Sequence, residues 1–197
     1  MMHRMFELST SRSFDRAPGE GFRTTLELPG WENQSAWGYD EPIGSYFAQL
    51  YRNTTPDGER PDIWLSGAGS NYARPGSIAL EVLRSTGHDP LTIVSAMGIL
   101  DPTPRLRGTA EINEQITELT PEAEDRYTAG QIEALRWVLT GACPGPGSER
   151  EWLSGPPGAQ HVEAEYHLVV GGPYERGGDQ MSLSGADEAL MWALERM

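Results

Sequence analysis

The chain reads as an α+β fold, with helices packed against one face of a mostly antiparallel or mixed sheet. Period-two alternation at 22–28 and 160–170 supplies strands, and apolar residues spaced three to four apart at 75–85 and 121–139 supply helices. Turn-rich stretches separate the two kinds of segment. All 197 residues fit one domain, and a chain of this size buries roughly 70% of the surface its unfolded form exposes, so neither disulfide nor metal is required for a core.

The first strand places Phe22, Leu26 and Leu28 on one face and Arg23 and Glu27 on the other, ending at Pro29-Gly30. An earlier strand over 5–10 would join it through a connection containing Pro18-Gly19. From Asp40, the spacing of Ile43, Phe47, Leu50 and Tyr51 predicts a short amphipathic helix, with Pro42 in its first turn. A short buried strand follows at 62–65, then a loop rich in Gly, Ser and Asn. A helix over 75–85 has Ile78, Val82 and Leu83 inward and Gly87 at its end.

Asp89-Pro90 supplies an N-cap and a proline at the first helical position, which starts a helix reaching about Gly98. Ile112, Ile116 and Leu119 have helical spacing, although Ile112 and Ile116 alone would also suit a strand. The clearest helix runs over 121–139, capped by Thr120, with Gly130 inside it as a weak point or bend. Nine glycines and prolines in 141–159 mark a long surface loop. Residues 160–170 then read as a strand, and a last helix begins at Ser184 with Asp187 completing a capping box.

Composition excludes whole classes of chemistry. All 15 basic residues are Arg, so no lysine Schiff base, phosphate-loop lysine or Ser-Lys pair exists. Cys143 is the sole cysteine, which removes intrachain disulfides and multi-cysteine metal sites and points to a reducing, cytoplasmic setting. No apolar run of signal-peptide or membrane-spanning length is present. Residues 1–110 carry 13 acids and 10 arginines, and residues 111–197 carry 16 and 5, giving net charges of -3 and -11. A negative field of that size disfavours direct nucleic-acid binding and favours basic partners.

Two groups of residues stand out. In the sequence His161-Val162-Glu163-Ala164-Glu165-Tyr166-His167, strand alternation lines His161, Glu163, Glu165 and His167 along one face. Imidazoles and carboxylates are suitable ligands for Zn, Mn or Fe, and next-nearest residues on a strand face lie about 7 Å apart, close enough for neighbouring pairs to share an ion. The solvated face of an amphipathic strand accounts for the same pattern. The second group is the aromatic and acidic segment holding Trp31, Trp37, Tyr39, Asp40 and Glu41, which suits either a partner-binding surface or a lid over the core.

These features predict a non-catalytic acidic interaction module, an adaptor or inhibitor, for a basic macromolecular partner, with no cofactor. Acids such as Glu118 and Glu163 would supply its field. The alternative is a metal-dependent hydrolase or isomerase using His161, Glu163 and His167. A homodimer through Trp152 and the 190–197 helix is a third expectation, and no membrane contact is expected.

Overall fold

The computed structural model describes residues 20–54, 60–67, 72–171 and 179–196. The expected strand at 5–10 lies outside them. Among the described residues four antiparallel strands come first: β1 (Phe22–Thr25), β2 (Ala36–Asp40), β3 (Ser45–Leu50) and β4 (Ile63–Leu65), in spatial order β1-β2-β3-β4. Six α-helices follow: α1 (Pro75–Thr86), α2 (Pro90–Ala96), α3 (Thr109–Leu119), α4 (Arg126–Thr140), α5 (Ala159–Gly171) and α6 (Gln180–Ala193). This is the α+β class expected, with α1 packed on the sheet's apolar face and α2 joining the same apolar cluster against α1 and α5.

The sheet corrects one assignment. The segment predicted as a helix from Asp40 is the β2-β3 hairpin, with a turn at 41–44 closed by Gly44 at φ +70°. Ile43, Phe47 and Leu50 share helical spacing by coincidence. In the strand, Tyr46, Ala48 and Leu50 face the core beside Trp37, while Ser45, Phe47 and Gln49 point to the other face. Trp37 stacks near-parallel on Tyr46 at 6.2 Å and meets Phe22 edge-on at 5.2 Å, so the aromatic residues bind the first three strands together.

Helix boundaries follow their local signals. Pro75 opens α1 and Gly87 closes it at φ +77°, while Asp89 accepts the Thr92 N–H at 2.9 Å to cap α2. Residues 109–119 are helical, which decides between the two readings of Ile112 and Ile116. The helix expected from Pro121 instead starts at Arg126, after a 3-10 turn at Thr120–Glu122, because Asp125 accepts the Thr128 N–H at 3.0 Å. Likewise Asp179 caps α6, so that helix starts at Gln180 and not at Ser184.

The largest correction concerns 160–170, which is helix α5 and not a strand. Two apolar clusters explain the misreading. The first joins the sheet, α1 and α2 to Ala164 and Leu168 of α5; the second joins α4 and α6 to Val162 and Val169 of α5. A helix wedged between two cores has apolar residues on opposing sides and therefore lacks the single stripe of an amphipathic helix. Its apolar positions happen to fall on alternate residues.

Close crossings hold the helices. A Cβ on Gly130 of α4 would lie 2.0 Å from the Ser182 carbonyl oxygen, and one on Gly185 of α6 would lie 2.0 Å from that of Tyr127. Gly130 is thus a contact residue of the α4-α6 crossing. Gly76 and Gly171 allow the same approach between α1 and the end of α5, where the Ser77 hydroxyl donates to the Gly171 carbonyl. Among the described residues no helix is long and apolar enough to cross a membrane.

Candidate functional site

Helix geometry redistributes the four residues expected on one strand face. Positions 161 and 163 lie about 200° apart around a helix axis, whereas 163 and 167, or 161 and 165, lie one turn apart on the same side. The quartet therefore separates into a Glu163-His167 pair and a His161-Glu165 pair on different faces of α5. Among the described residues no group of three or more His, Cys, Asp or Glu is placed to hold a metal ion.

The His161-Glu165 face meets the Gly/Pro-rich loop. Glu165 is fully buried and accepts the N–H groups of Gly147 and Ser148 at 2.8 Å each, the Ser148 hydroxyl at 2.5 Å and the Trp152 indole N–H at 2.8 Å. Burial pushes its carboxyl above the ordinary glutamate value, and these hydrogen bonds oppose the rise. One side chain thereby fixes a loop that has no regular structure of its own. His161 sits tilted against Trp152 with ring centroids 5.4 Å apart, and its Nδ1 accepts the Gly158 N–H at 3.1 Å.

The Glu163-His167 face opens on a cleft of about 490 Å³ between the start of α1, the 99–102 segment, α5 and Arg196. Glu163 is 1% exposed. Its Oε1 accepts the Asp101 N–H and an Arg196 guanidinium N–H, both at 2.7 Å, and lies 3.5 Å from His167 Nε2. Burial opposes the charged form, but the neighbouring His167 imidazole, the hydrogen bonds from Asp101 and Arg196 and the Arg196 charge outweigh it and hold the carboxyl below its ordinary value. Glu163 Oε2 is buried and has no hydrogen-bond partner among the described residues.

Around this carboxylate stand one more acid, two cations and a phenol. Arg196 Nη2 lies 3.8 Å from Asp101 Oδ2, and the Arg196 guanidinium carbon sits 5.2 Å from the centre of the Tyr166 ring. Arg74, which also lines the cleft, donates to the Val170 carbonyl at 3.0 Å. Burial and the nearby Asp187 carboxylate raise the Tyr166 phenol, while burial raises Asp187 itself against the pull of Arg74. The arrangement can hold a planar cation between carboxylate and aromatic face.

The aromatic segment is divided by the sheet. Trp37 is fully buried and Trp31 nearly so, with the Arg52 guanidinium 5.0 Å above the Trp31 ring. Tyr39 and Asp40 are half-buried at the end of β2, and Glu41 is exposed in the turn. Sequence reasoning named Glu163 and His167 but missed Arg196, Tyr166 and Arg74 as neighbours. The Glu163-His167 spacing of four was the one local signal, and it has meaning only on a helix. No family model, no curated protein and no solved structure matches this chain.

Proposed function

We propose that this chain is a non-catalytic acidic interaction module, an adaptor or inhibitor, that binds a basic macromolecular partner. The supporting observation is the surface of α3, the 3-10 turn and α4. Glu111, Glu114, Glu118, Glu122, Glu124 and Glu133 are all exposed there, while the same stretch carries Arg126 and Arg136 alone as cations. Asp125 caps α4, so residues 109–140 hold seven acids against two arginines, a net charge of -5. Arg126 is already paired with Asp179 at 3.2 Å. Such a surface raises encounter rates with a cationic partner and loses that advantage as salt screens it.

Tyr39, Asp40 and Glu41 supply a second contact region in this reading, because Trp31 and Trp37 belong to the core. Glu163 leaves the field-forming set: it is buried and ion-paired, so neutralising it perturbs the fold. The reading is tested by association kinetics with a library of Arg- and Lys-rich peptides at low and high salt. The double variant Glu114→Gln/Glu118→Gln should slow association by about threefold or more and leave the melting temperature nearly unchanged. Salt-independent association, or the same rate in the double variant, overturns it.

A further inference from the structure

We propose that the Glu163 cleft is an arginine-recognition pocket, in which Arg196 of this chain is the resident occupant and an arginine side chain of the basic partner is the competing ligand. The inference rests on the partner being basic and adds the chemistry of its recognition. A guanidinium is recognised by carboxylates in its plane and an aromatic ring against its face. Glu163, Asp101 and Tyr166 supply these elements, with Arg196 at 2.7 Å, 3.8 Å and 5.2 Å from them respectively.

The resident occupant leaves the carboxylate half-served. Two parallel N–H groups of a guanidinium can bond both oxygens of one carboxylate, yet Arg196 donates to Oε1 alone, and Oε2 is buried with no hydrogen-bond partner among the described residues. Arg196 approaches from the turn that ends α6, where its own N–H is tied to the Met191 carbonyl at 3.0 Å, which restricts its angle of entry. An arginine arriving from the cleft has no such tether. The volume of about 490 Å³ accommodates a long side chain, and the Arg196 side chain is 29% exposed, so exchange does not require the core to open. A lysine ammonium, a compact charge without the planar fork, offers no pair of parallel N–H groups to match the two oxygens.

The test is calorimetric titration with N-acetyl-arginine amide and N-acetyl-lysine amide against the wild type, Arg196→Ala and Arg196→Ala/Glu163→Gln. The expected pattern is arginine-probe binding to Arg196→Ala about tenfold or more tighter than to the wild type and than the lysine probe, lost in the double variant. Equal affinity for the two probes, or binding that survives Glu163→Gln, overturns the proposal. Arg196→Met, which retains the apolar stem, replaces the alanine variant if the latter does not fold. In the wild type, the Arg196 side-chain Nε–H resonance should shift on saturation with the arginine probe, and no shift counts against the pocket. The arms separate the two readings. Salt-independent peptide association with intact probe binding removes only the acidic-surface reading, and the converse removes only the pocket.

Discussion

Glu163 and Arg196 meet at 2.7 Å across 33 positions of sequence, one nearly fully buried and the other 29% exposed. Removing the cation leaves a buried carboxylate facing the Asp101 N–H and His167. Breaking a fully buried ion pair costs about 3–5 kcal/mol, and the exposure of Arg196 lowers that expectation to about 2 kcal/mol for Arg196→Ala. Glu163→Gln keeps an acceptor for the Asp101 N–H and should cost less, about 1 kcal/mol. Urea unfolding of both single variants and the double variant checks this. The double variant should be more stable than the sum of the single losses implies, and strict additivity would show that the contact contributes nothing.

The two buried glutamates of α5 should give stability opposite dependences on pH. The Glu163 carboxyl is held below its ordinary value of 4.5, so its contribution is present above that pH and lost as pH falls through the folded-state value. The Glu165 carboxyl is held above 4.5, so the native state binds its proton more tightly than the unfolded chain. That contribution is greatest below 4.5 and is lost as pH rises through the folded-state value. Denaturant melts across pH 3–8 should show Glu163→Gln flattening the acid limb and Glu165→Gln flattening the limb above it. Identical profiles for both variants would contradict the assignment.

Gly130 and Gly185 should tolerate no side chain. Each Cβ would fall 2.0 Å from a backbone carbonyl oxygen of the opposite helix, and backbone yields less readily than a flexible side chain. Gly130→Ala or Gly185→Ala should cost about 2–3 kcal/mol even though alanine is the better helix former. Once one substitution has spread α4 from α6, the second should cost less. Gly155→Ala, with nothing within 4 Å of the added Cβ, serves as the near-neutral control. Equal melting temperatures for Gly130→Ala and Gly155→Ala would refute the close crossing.

What the sequence disclosed depended on whether the signal was local. Pro75, Gly87 and the Asp89-Pro90 pair mark α1 and α2 because caps act within a turn, and the class of the fold follows from such elements taken together. The 160–170 segment was misread because Ala164 and Leu168 pack into one core and Val162 and Val169 into another, so burial follows tertiary position and not one helical stripe. The hairpin at 36–50 was hidden by residues whose spacing fits both periods. The cleft was least legible. Asp101 and Glu163 lie 62 positions apart, and no short pattern announces that a backbone N–H, a buried carboxylate and an arginine will converge.

Glu195 offers a test of how Arg196 is delivered to that cleft. It adopts φ +55° directly after Leu194, while the Glu195 N–H donates to the Trp192 carbonyl and the Arg196 N–H to the Met191 carbonyl, at 3.1 and 3.0 Å. These paired bonds form a Schellman ending to α6, with glutamate in the left-handed position that glycine ordinarily takes. The left-handed conformation costs a non-glycine residue about 1–2 kcal/mol, and glycine returns part of that gain through the greater freedom of its unfolded state. Glu195→Gly should therefore stabilise the protein by about 0.5 kcal/mol, whereas Glu195→Val, β-branched at positive φ, should destabilise it by about 1 kcal/mol or more. Thermal melts of the three proteins decide the matter. The ranking Gly above Glu above Val supports a strained turn that directs Arg196 inward. Indistinguishable glycine and valine variants would mean that the turn does not hold this conformation, and that Arg196 reaches Glu163 without its help.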